Sequence, residues 1–61
     1  MDKLRKFRGK LSQREMAKEI GVSHSYYSKV EKGFQNPSYR FLWKFKHRFP
    51  EVDLDEMFFS K

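Results

Sequence analysis

His24, Ser25, Ser28, Lys29 and Lys32 stand at i, i+1, i+4, i+5 and i+8, the spacing of one polar ridge if the segment is helical. Their chemistry is that of reaching and reading. A lysine ammonium can donate to O6 or N7 of a guanine in a major groove. An imidazole donates or accepts according to its protonation. The short serines allow close approach to a surface that the long side chains then touch. A polar ridge without such a partner is simply solvated.

Bond-making chemistry is not expected. Ser23, His24 and Ser25 place hydroxyls beside an imidazole, but on one exposed helix with no oriented pocket. No nucleophile–base pair, metal cluster or phosphate-cradling glycine loop is visible, so the chain reads as no enzyme. The two histidines, His24 and His47, lie 23 residues apart in a chain without Cys, which makes no plausible metal site. No cofactor and no small-molecule ligand are expected.

The ridge needs elements to present it. DKLRKFR (2–8) reads as a short helix with Leu4 and Phe7 on one side, broken at Gly9-Lys10. Ser12 with Glu15 forms a capping box, in which the two side chains satisfy each other's orphan backbone N–H groups. Met16, Ala17 and Ile20 make the stripe of the second helix, which Gly21 ends. Ser23 caps a third helix running to about Lys32, and Gly33 stops it. Phe34-Gln35-Asn36-Pro37 is a loop. Ser38 or Asn36 caps a fourth helix that ends before Pro50. Asp53 with Glu56 repeats the capping-box pattern for a final helix over Leu54–Phe59. Nothing alternates with period two, so strands are not expected. The reading is all-α: one domain over residues 1–61, a bundle of five short helices.

The spacing within LSQREMAKEIGVSHSYYSKVEKG (11–33) is more specific. Ala17, Gly21, Tyr27 and Val30 follow Gln13 by four, eight, fourteen and seventeen residues. Two helices crossing steeply across so short a turn approach closely. Only a small side chain fits at the crossing, which suits Ala17. Gly21 supplies the positive φ the turn needs. Val22 tucks beneath, and Tyr27 and Val30 hold the third helix against Met16 and Ile20. The pattern is that of a DNA-binding helix-turn-helix over about 12–32; an ordinary helical corner shares only some of it.

Bulk properties agree. The chain has 61 residues and a net charge of +6. Residues 1–48 carry +9 and residues 49–61 carry −3, a basic body suited to a polyanion. With no disulfide available, eleven aromatic residues must supply the buried area that so small a domain needs. No apolar run approaches the ~20 residues of a membrane span. Arg5, Arg8 and Lys10 interrupt any signal peptide. A cytoplasmic protein is expected, with no membrane partner.

On LRKFR, the quoted motif, NPSYRFLWKF and VDLDEMF, the chain resembles the helix-turn-helix regulators of the phage repressor and Cro type, the XRE family. The resemblance implies a lambda-repressor-like DNA-binding domain whose second motif helix enters the major groove of double-stranded DNA, and a transcriptional regulator of repressor type. Carrying over the family's base-contacting positions gives His24, Ser25, Ser28 and Lys29. Gln13 opens the second helix where the family commonly touches the DNA backbone. Ser23 and Tyr26 at the start of the third helix, and Lys32, Gln35, Asn36 and Arg40 after it, are further phosphate candidates, with Arg14 a weaker one. Each is otherwise an ordinary surface residue. Arg8 and Glu31 match a family ion pair between the first and third helices, expected here to be partly buried.

Some residues depart from the family. Tyr27 replaces an aliphatic residue, so its hydroxyl must find solvent, a phosphate or a polar partner. The loop between the first two helices is short, and Pro50 follows the fourth.

Leu42, Phe45 and Phe49 form the core stripe of the fourth helix, joined by Leu54 and Phe58. Some of Phe41, Trp43, Met57 and Phe59 are candidates for an exposed patch. Family dimers on two half-sites make a homodimer through the fifth helix a hypothesis. The basic run Lys44-Phe45-Lys46-His47-Arg48 is either a solvated face or an extra backbone contact. The alternative function is a helix-turn-helix scaffold used as a protein–protein interaction module.

Overall fold

The computed structural model describes residues 2–59. Five helices follow in order: α1 Asp2–Arg8, α2 Gln13–Ile20, α3 His24–Glu31, α4 Tyr39–Arg48 and α5 Asp55–Phe59. No strand occurs among the described residues.

Serines set the starts of α2, α3 and α4. Ser12 Oγ accepts from the Glu15 N–H at 3.0 Å while Glu15 Oε1 accepts from the Ser12 N–H at 2.8 Å, a closed capping box. Ser23 and Ser38 cap α3 and α4 in the same way, each accepting from the N–H three residues on. Ser38, not Asn36, is thus the cap of α4. Glycines set the ends of α2 and α3. Gly21, at φ 94°, closes α2 with its N–H on the Ala17 carbonyl at 2.8 Å. Gly33, at φ 83°, donates to Val30 O while Phe34 donates to Lys29 O. These paired bonds satisfy the Val30 and Lys29 carbonyls where α3 ends.

The fifth element departs from its sequence signature. Asp53 Oδ1 accepts from the N–H groups of Asp55 and Glu56. Glu56, however, does not complete a box, because its carboxylate takes Lys3 Nζ of α1 at 3.0 Å. A long-range ion pair has replaced the reciprocal cap, and α5 is a single wide π-type turn.

Leu4, Met16, Ala17, Ile20, Tyr27, Val30, Phe41, Phe45 and Val52 form the buried core. Burying a side chain such as Phe45 contributes about 2–3 kcal/mol. Around it the aromatic rings pack edge to face: Phe58 meets Phe45 at 5.3 Å and Phe41 at 5.9 Å, and Phe7 meets Phe49 at 5.0 Å. Phe41 is therefore core, at 1% exposed, not part of an outer patch. It faces both Phe58 and the Tyr26 ring, so two elements cover it. Leu42, Phe49, Leu54, Met57 and Phe58 are half-buried against the core, while Trp43 and Phe59 are exposed.

In the basic run of α4, Lys46, His47 and Arg48 are exposed, as a solvated face requires, but its cations also have partners within the molecule. Lys44 Nζ donates to the Gly21 carbonyl at 2.9 Å, Lys46 Nζ to the Val52 carbonyl, and Arg48 Nε to Glu19 Oε1 at 2.8 Å. His47 stacks on Trp43. Lys44 in particular ties α4 to the carbonyl at the turn between α2 and α3.

Candidate nucleic-acid interface

The α2–turn–α3 unit is held from beneath. Met16, Ala17 and Ile20 of α2 and Tyr27, Val30 and Glu31 of α3 are buried. The side of α3 away from this packing carries His24, Ser25 and Lys29, all exposed, and Ser28, half-buried. The four proposed base-reading side chains thus share a surface, on which Ser28 is the least exposed. Ser23 Oγ is committed to the α3 N-terminus through the Tyr26 N–H at 3.1 Å.

The phosphate candidates divide among three places. Gln13 and Lys32 border a polar recess between α1, α2 and the end of α3, together with Asp2, Arg5, Arg8 and Glu31. Ser23, Tyr26 and Arg40 border a second recess beside the turn, with Gly21, Val22, Ser38, Phe41 and Lys44. Gln35 and Asn36 lie along a third groove, with Val30, Pro37, Met57 and Phe58. Arg14 is exposed on α2. Tyr26 is not a free aromatic. Its hydroxyl oxygen accepts from the Ser38 N–H at 2.8 Å and its ring lies 5.7 Å from Phe41, so it locks the start of α4 to α3.

Beneath the first recess lies a carboxylate hub. Glu31, 5% exposed, accepts from Arg8 Nε at 2.9 Å and Arg8 Nη2 at 3.1 Å. It also accepts from Gln13 Nε2 at 2.9 Å and Tyr27 Oη at 2.6 Å. Arg8 Nη1 meanwhile holds the Leu11 carbonyl at 2.7 Å, bracing the α1–α2 connection. Burial alone would raise the Glu31 carboxyl, but the bonds from Tyr27, Gln13 and Arg8 outweigh it and hold the group below the usual carboxylate range. Burial, reinforced by Glu31, pushes the Tyr27 phenol well above its ordinary value. The Tyr27 hydroxyl thus finds its polar partner four residues away on its own helix. That i, i+4 relation was present in the sequence. The Gln13–Glu31 and Lys44–Gly21 bonds had no local signal, because they join residues 18 and 23 apart.

Among the described residues no helix is long and apolar enough to cross a membrane. Neither a curated relative nor a solved structure matches the chain. A family model does: residues 1–57 match HTH_3, described as Helix-turn-helix. With nearly the whole chain matched, with all-helical architecture and with a glycine-closed turn between α2 and α3, the protein belongs to the Cro/C1-type helix-turn-helix family, the XRE family of DNA-binding domains.

Proposed function

We propose that the protein binds double-stranded DNA sequence-specifically, with α3 in the major groove, and acts in the cytoplasm as a transcriptional repressor. The observation that carries this reading is the exposed His24, Ser25 and Lys29 surface, held outward by the burial of Tyr27, Val30 and Glu31 on the opposite side of α3. His24, Ser25, Ser28 and Lys29 read base edges. Gln13, Arg14, Ser23, Tyr26, Lys32, Gln35, Asn36 and Arg40 hold the backbone, with Arg8 and Glu31 fixing α1 to α3. The exposed Phe34 and Phe59 offer apolar surface for a second copy on an adjacent half-site. Sedimentation showing one copy on a two-half-site duplex would remove that part of the reading.

Binding to duplexes selected from a random pool, and to random duplex across a salt series, tests the function. Neutralising about six phosphates gives a slope near −5 in log K against log salt. Lys29→Ala should weaken the selected duplex and flatten discrimination, whereas Gln13→Ala should weaken selected and random duplexes alike. A flat salt response would reject the proposal and favour a protein partner on the exposed Tyr39 and Trp43, which are 83% and 58% exposed.

A further inference from the structure

We propose that Glu31 is a positioning residue for the DNA backbone: its carboxylate turns the Gln13 amide so that an N–H, and not the carbonyl, meets a phosphate at the recess between α1, α2 and α3. The inference rests on the DNA-binding reading above and adds to it a residue that never touches DNA.

The geometry begins with the carboxylate itself. Arg8 Nε and Tyr27 Oη both meet Oε2, while Arg8 Nη2 and Gln13 Nε2 both meet Oε1. The two-point arginine contact fixes the plane of the carboxylate and the tyrosine fixes its roll, so Oε1 faces the start of α2. An ionised carboxylate only accepts. The Gln13 amide can therefore approach it by one end alone, through Nε2. That nitrogen carries a second hydrogen, with no partner among the described residues, and this is the donor for a phosphate oxygen. Were residue 31 an amide, Gln13 could turn either way, and its carbonyl would repel a phosphate in the reversed state.

The recess tolerates an anion despite the glutamate. Arg5, Arg8 and Lys32 stand against Asp2 and Glu31 along its lining, which leaves one net positive charge. Glu31 is moreover already engaged by Arg8 and Tyr27. The usual role of a buried ion pair, to fasten two helices, is thus joined to the orientation of a third group on α2.

The test compares the wild-type chain with Gln13→Ala, Glu31→Gln and the double variant, by affinity for a random duplex at fixed low salt. One lost hydrogen bond to a charged oxygen weakens binding about tenfold. The expected result is that Gln13→Ala and Glu31→Gln each show this loss, while the double variant is no weaker than either alone. A merely structural role for Glu31 would weaken binding by the same factor with or without Gln13, and would overturn the proposal. So would wild-type affinity in Glu31→Gln. Should Glu31→Gln fail to fold by circular dichroism, the side-chain amide resonances of Gln13 in isotope-labelled wild-type chain decide. One proton should be displaced downfield in the free chain, and the other should move when duplex is added. Equivalent protons, or protons indifferent to duplex, refute the proposal. A wild-type chain that binds no duplex refutes the DNA-binding reading, and the proposal with it. A wild-type chain that binds, with Glu31→Gln indifferent, refutes the positioning role alone.

Discussion

Tyr27→Phe removes one oxygen from the middle of the molecule and leaves the ring in place, so it isolates the hydroxyl. That oxygen donates at 2.6 Å to Glu31 Oε2 and lies in a side chain with no exposure. A hydrogen bond to a charged acceptor contributes about 1.5–3 kcal/mol net. Glu31 keeps its Arg8 and Gln13 partners in the variant, which places the loss near the lower half of that range, at about 2 kcal/mol. Stability of 0.05–0.15 kcal/mol per residue gives a chain of this size roughly 3–9 kcal/mol in all. The variant should therefore fold but unfold far more readily. At about 4–8 °C per kcal/mol for a domain this small, Tm should fall by roughly 8–16 °C. Urea unfolding followed by far-ultraviolet circular dichroism gives the free-energy change, provided the slope m is unchanged. Tyr26→Phe is the control. Its hydroxyl accepts a single neutral N–H, from Ser38, at a more exposed position, and its loss should cost about 1 kcal/mol or less. Equal losses from the two variants, or a Tm change below about 3 °C for Tyr27→Phe, would refute the claim that this buried charge-assisted bond within α3 stabilises the fold by about 2 kcal/mol.

Acid should act on the same hub. The Glu31 carboxyl is held below its ordinary 4.5 in the fold, so its contribution is complete above that value and is lost as pH falls through the lower folded-state pKa. Glu15, held down by the Ser12 N–H, acts in the same direction and window. At the alkaline end the raised Tyr27 phenol gives a second loss, beginning as pH climbs past 10, where only the unfolded chain ionises freely. A urea series across pH should show both limbs, and Tyr27→Phe should lack the alkaline one. Gly21→Ala should destabilise by about 1 kcal/mol through the left-handed φ of 94°. A Cβ there would meet only Lys44 Cδ at 4.0 Å, so no steric clash adds to the loss; urea unfolding with a cost above about 3 kcal/mol would contradict this.

What could be read along the chain was local chemistry with a strong short-range pattern. Ser12 and Glu15 are three residues apart, so their capping box needed nothing but the chain itself. The same holds for Ser23 as a cap, for Gly21 and Gly33 as helix ends, and for the outward ridge of α3, whose position follows once Tyr27 and Val30 are taken as its inner side; the cap of α4 stayed open between Ser38 and Asn36 until the fold placed Ser38 Oγ on the Phe41 N–H. Asp53 and Glu56 had the same pattern and kept only half of it, because Lys3, 53 residues away, competed for the glutamate. The Phe41 position shows the same limit. On an isolated α4 it sits at the edge of a broad apolar arc, and only the arrival of Tyr26 from α3 and Phe58 from α5 makes it core. The cations of α4 find their carbonyls and carboxylates only after the chain has folded back on itself. The largest instance is Glu31, on whose carboxylate Arg8 of α1, Gln13 of α2 and Tyr27 of α3 converge. Periodicity and capping act over one or two turns of backbone, so the sequence sufficed for the helices and their faces. Partner choice among charged and aromatic side chains depends on distances between helices, which packing alone brings to the few ångströms at which they interact.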